Sequence, residues 1–77
     1  MNNLSKYFDS IDVSTRPKRR RVVALVVKLV DRIHFQESSY LNRIPDNLQT
    51  GDAFAAAEDS VTYLEEALAA LHDAYYD

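Results

Sequence analysis

Two groups of residues in this 77-residue chain carry chemistry that would not be spent on an inert surface. The run Arg16-Pro17-Lys18-Arg19-Arg20-Arg21 concentrates five positive charges, enough to grip the phosphates of a nucleic acid or an anionic nucleotide ligand. The competing role is structural, a solvated helix end paired within the chain. The second group is Glu37 with His34 three residues earlier, in a segment that is otherwise apolar at helical spacing. A carboxylate there needs a partner. Acid–base catalysis would need a second convergent group and a pocket, which the sequence does not specify. The reading adopted is a buried carboxylate, held by Tyr63, Ser60 or His34, that fixes helix register.

Other chemistries find no support. With no cysteine there is no disulfide or thiolate metal site, and His34 and His72 stand apart with no second ligand at metal spacing. One glycine rules out a glycine-rich phosphate loop. No cofactor is expected, and the protein is read as a non-enzyme. The longest uncharged apolar run, Val22 to Val27, is too short to cross a membrane, and MNNLSKYFDS lacks the apolar core of a signal peptide. A cytoplasmic protein with no membrane partner is expected.

The elements that position these residues follow from periodicity. Thr15 or Ser14 suits an N-cap and Pro17 the first helical turn. The spacing then predicts a helix over 16–44, ended by Pro45. Its valines allow a rival strand, but polar positions recur at helical spacing and there is no strand to pair with. Val22, Val26, Leu29, Val30, Ile33, Tyr40, Leu41 and Ile44 project to one side and Lys28, Arg32, Ser39 and Arg43 to the other, with Glu37 inside the apolar side. Phe35 falls on the polar side as a candidate partner contact. Residues 45–51 form a turn, over which Leu48 is expected to fold back. A helix over 52–76, capped by Thr50 or Asp52, carries Phe54, Ala57, Val61, Leu64, Leu68, Leu71 and Tyr75 at alternating spacings of three and four. Beside that seam runs a mostly small stripe of Ala56, Ser60, Tyr63, Ala67, Ala70 and Ala74. Residues 1–15 form a short helix or arm, with Leu4, Tyr7 and Phe8 as a lid.

The predicted fold is all-α, an antiparallel hairpin of two long helices in a single domain. Charge is segregated along it: all nine Lys and Arg lie in residues 1–43, whereas residues 44–77 hold eight acids and no base. Folding back would set Arg19 to Arg21 beside Asp73 and Asp77, each offsetting an unfavourable charge at a helix end. The first long helix has more apolar surface than one neighbour covers. Val23, Leu25, Val27 and Leu41 are therefore expected to form the interface of a dimer or higher even oligomer that completes a bundle.

Glu37, Tyr40-Leu41-Asn42, Ile44-Pro45 and Leu48, followed by Glu58 and Leu64-Glu65-Glu66-Ala67, resemble a pattern in small uncharacterised helical-hairpin proteins of bacteriophages and integrative elements. The similarity spans roughly residues 33–75, and the basic, valine-rich lead-in departs from it. The resemblance implies a mobile-element origin and a non-enzymatic role, binding and modulating or inhibiting a host protein. The alternative is binding of nucleic acid or an anionic nucleotide through Arg16 to Arg21.

Overall fold

A computed structural model describes residues 2–75, with side chains from residue 6 onward. The order of elements is α1 (Asn2–Asp9), α2 (Arg16–Arg43), a short 3-10 turn (Asp46–Leu48) and α3 (Asp52–Ala74). There is no strand among the described residues. The fold is the all-α hairpin the periodicity predicts, and α2 and α3 are the helices that pack on one another.

Local rules set the ends of α2. The Thr15 hydroxyl accepts from the Lys18 backbone N–H at 3.4 Å, and Pro17 sits in the first turn, where no intrahelical N–H is needed. At the other end Pro45 holds Ile44 in an extended conformation, φ −70° and ψ 123°, and the Ile44 N–H closes on the Leu41 carbonyl. The start of α3 differs from expectation. Gly51, not Thr50 or Asp52, occupies the cap position, and no side chain bonds to the first turn. A Cβ on Gly51 would stand 3.3 Å from the Leu48 carbonyl oxygen, so the turn favours the residue without one. Leu48 itself is 54% exposed and does not fold back over the hairpin.

The seam of α3 is the predicted one. Ala57 is buried, and Phe54, Val61, Leu64, Leu68, Leu71 and Tyr75 are half-buried. The face α2 turns toward it is only partly the predicted one: Val22, Val30, Leu41 and Ile44 are half-buried as expected, but the packed stripe is rotated toward Val23 and Val27. Val23, Val27, Val30, His34, Glu37, Leu41 and Ile44, again at alternating spacings of four and three, are half-buried. Val26, Leu29, Ile33 and Tyr40, expected in the core, are 41–55% exposed. The packed stripe carries His34 and Glu37 and is the less uniformly apolar of the two, so composition alone ranks them the wrong way. The hairpin uses the one that faces α3 when the turn closes.

The lid does not form either. Tyr7 and Phe8 pack edge-on against each other at 5.9 Å between ring centroids, yet remain 64% and 59% exposed. Leu4 lies outside the described side chains. The molecule is a slab with extents of 50 × 36 × 15 Å, so its thinnest dimension is close to the ~10–12 Å diameter of one helix. Only Ala57 is buried among the described residues, because one layer of two helices has no interior beyond its seam. No described helix is long and apolar enough to cross a membrane.

Candidate interaction surfaces

The basic run lies at the open end of the hairpin, and the fold already engages much of it. The Arg16 guanidinium stands 5.0 Å from the centroid of the Tyr75 ring, a cation–π contact that also brings positive charge to the C-terminal end of α3. The Lys18 ammonium pairs with the Asp12 carboxylate, which also accepts from the Ser14 hydroxyl and backbone N–H. Arg19 donates to the Val13 carbonyl at 3.0 Å. Arg20 lines a shallow groove with Val23, Val27, Leu71, His72 and Tyr75. The expected antiparallel neighbourhood therefore forms, with Arg16 against Tyr75. Arg19 turns to the linker before α2 and not to Asp73, and Asp77 lies outside the described residues.

Asp12 is the carboxylate that offsets the basic start of α2. The Lys18 ammonium, with help from the Ser14 hydroxyl and N–H, lowers its pKa from 3.8 to about 2. Because the folded value lies below the unfolded one, the contribution of this pair is complete above pH ~4 and is lost as pH falls from about 4 to about 2. The expected result is a carboxyl titration of Asp12 with its midpoint near 2, read by carbon NMR. In Lys18→Ala the midpoint should move up toward 3.8. An Asp12 midpoint unmoved by that change would show that Lys18 is not its principal partner.

The polar group predicted to fix register is not assembled: among the described residues Glu37 is bonded to none of His34, Ser60 and Tyr63, and no polar residue is buried. His34 reaches across the seam, but its Nε2 meets Glu65 Oε2 at 3.0 Å and not Glu37. Tyr63 is 66% exposed and turned away. Glu37 is half-buried and makes no side-chain hydrogen bond among the described residues. Helical projection explains the separation: His34 leans to one broad side of the hairpin and Glu37 to the other. Glu65 went unrecognised because only the register of the closed hairpin sets it level with His34.

The oligomer-interface residues divide in the same way. Val23, Val27 and Leu41 are half-buried on the seam stripe and Val23 and Val27 line the groove with Leu71 and Tyr75, whereas Leu25 is 65% exposed. The surplus apolar surface of α2 instead runs through Leu25, Val26, Leu29, Ile33 and Tyr40. Phe35, 66% exposed, borders a second shallow groove on the outer side of α2 with Leu29, Arg32, Ile33 and Gln36. No group of three or more His, Asp or Glu side chains among the described residues is arranged to hold a metal ion.

Searches of protein-family models, curated proteins and solved structures gave no match to the chain.

Proposed function

We propose that the chain is a small non-enzymatic interaction module, of mobile-element origin, that binds a host protein in the bacterial cytoplasm and modulates or inhibits it. The observation that carries this reading is the exposure of α2. Phe35 stands 66% exposed on its outer side near Lys28 and Arg32, an aromatic anchor within a polar rim of the kind protein interfaces use. Two pairs of titratable groups that meet among the described residues, Lys18 with Asp12 and His34 with Glu65, tie elements of the fold together. Engagement of Arg16, Lys18 and Arg19 within the chain weighs against the anion-binding alternative.

The test is capture from nuclease-treated host lysate with the tagged chain and its Phe35→Asp variant, read by mass spectrometry. A stoichiometric protein retained by the parent and lost with Phe35→Asp is expected. Retention that disappears on nuclease treatment, or a bound fraction that falls steeply with salt and needs Arg19 to Arg21, would favour nucleic acid instead.

A further inference from the structure

One broad side of the hairpin is apolar and open. At 100° per residue, the stripe Val26, Leu29, Ile33 and Tyr40 is turned about 90° from the packed stripe of α2, and the stripe Ala56, Ser60, Tyr63, Ala67, Ala70 and Ala74 about 100° from that of α3. Both rotations have the same sense along the chain. In antiparallel helices that brings the two stripes to the same broad side. His34 and Glu65 are rotated the opposite way on their helices and meet on the other side, as this geometry requires. The apolar side therefore carries a bulky ridge next to a shallow trough of mostly small residues, interrupted by Tyr63 at the level where the ridge has Gln36 between Ile33 and Tyr40, and the described side chains of α1 do not cover it.

We propose that this side is covered by a second copy of the chain, related by a two-fold axis parallel to the helices, so that each α2 lies on the α3 of the other copy. Shape supplies the first argument. The axis exchanges left and right while keeping heights, so the ridge of each copy enters the trough of the other, twice. The His34–Glu65 contact fixes those heights: residues whose numbers add to about 99 stand level. Leu29 then meets Ala70 of the second copy, Ile33 meets Ala67, and Tyr40 meets Ser60. A two-fold perpendicular to the helices would instead set ridge on ridge and trough on trough, leaving voids along the alanines.

Charge supplies the second argument. Every base of the chain lies before residue 44, and residues 44–77 hold only acids. With α2 over α3, Arg32 comes level with Glu66 of the second copy and Arg43 near Asp52 and Asp59, so opposite charges flank both edges. With α2 over α2, bases would face bases. Area supplies the third. Two helices about 30 Å long and ~10 Å wide present roughly 600 Å² of plane per copy, and the ridged surface exceeds its plane, near the ~800 Å² per partner of stable interfaces. The product is a four-helix bundle in which each helix has antiparallel neighbours. This inference does not rest on Phe35, which borders Leu29 and Ile33 from the outer side of α2.

Sedimentation at micromolar concentration should give twice the 8.8 kDa chain mass. Ile33→Glu should weaken association about 100-fold or more while circular dichroism still shows helix, because Ile33 is outside the seam. The chain has no cysteine, so the arrangement can be read by oxidation. A mixture of Ile33→Cys and Ala67→Cys chains should cross-link, and Ile33→Cys alone should not. A strict monomer, or an Ile33→Glu variant that associates as tightly as the parent, would overturn the proposal. So would efficient cross-linking of Ile33→Cys to itself, which would set α2 on α2.

Discussion

Ala57→Leu is expected to destabilise the hairpin by about 1–3 kcal/mol, the largest loss from any single conservative change on the seam. Ala57 is 2% exposed and is the one buried side chain among the described residues. It sits one turn into α3, near the closed end of the hairpin, where α2 and α3 approach closely enough that a single methyl fills the gap. Three added carbons have no cavity to enter, so the helices must separate or the side chain must leave its rotamer. Because the slab has no second layer of core to absorb the change, the loss falls on a protein whose total stability is only a few kcal/mol. A fall in melting temperature of roughly 4–8 °C per kcal/mol should follow. Ala55→Leu, at an exposed position on the same turn, is the control, and should stay within about 0.5 kcal/mol of the parent. Equal urea midpoints for the two variants would show that the seam near the turn is loosely packed.

The contrast between α3 and α2 shows where sequence reasoning succeeds and why it stops. In α3 one apolar stripe alternates with small and acidic positions, so periodicity and packing coincide from Phe54 to Tyr75. In α2 two apolar stripes lie side by side, and the more uniformly apolar one, through Val26, Leu29 and Ile33, is the one left open. Hydropathy ranks stripes by composition, whereas the hairpin selects by the direction the chain leaves the turn at Pro45 and Gly51. The ends of α2 were legible because they are local: Thr15, Pro17 and Pro45 act on residues within a turn of themselves, whereas the Gly51 cap of α3 was not read. Asp12 and Glu65 were not legible. Their partners, Lys18 and His34, become neighbours only after a loop folds back or a hairpin closes, at sequence distances of six and 31 residues. The charge segregation was visible in full. It read as a clamp between the two ends of one hairpin; among the described residues Arg16 does reach the end of α3 at Tyr75, while Arg19 turns to the Val13 carbonyl.

Glu37→Leu should make the proposed assembly more stable and less uniquely ordered. In the single chain Glu37 is half-buried beside the apolar ridge without a hydrogen bond among the described residues, so its carboxylate loses water with little return. In the two-fold arrangement it enters the bundle interior level with Ser60 and Tyr63 of the second copy, and the half-buried Ser60 hydroxyl is the donor placed to meet it. Replacing such a group with a packed hydrocarbon is commonly neutral or stabilising, by about 1–4 kcal/mol, because the desolvation of the charge disappears. A gain of that size would tighten dimerisation by roughly five- to a thousand-fold, measurable as a shift of the sedimentation midpoint to lower concentration. The cost should appear as lost discrimination. Without a polar group that must find its donor, slipped and α2-on-α2 pairings come closer in energy, and Ile33→Cys should begin to cross-link to itself in the Glu37→Leu background. Glu37→Gln, which keeps an acceptor without the charge, should hold the parental cross-linking pattern. If Glu37→Leu instead loses as much stability as Ala57→Leu, the carboxylate has a bond that neither the single chain nor this dimer supplies, and the position of the second copy would have to be redrawn around it.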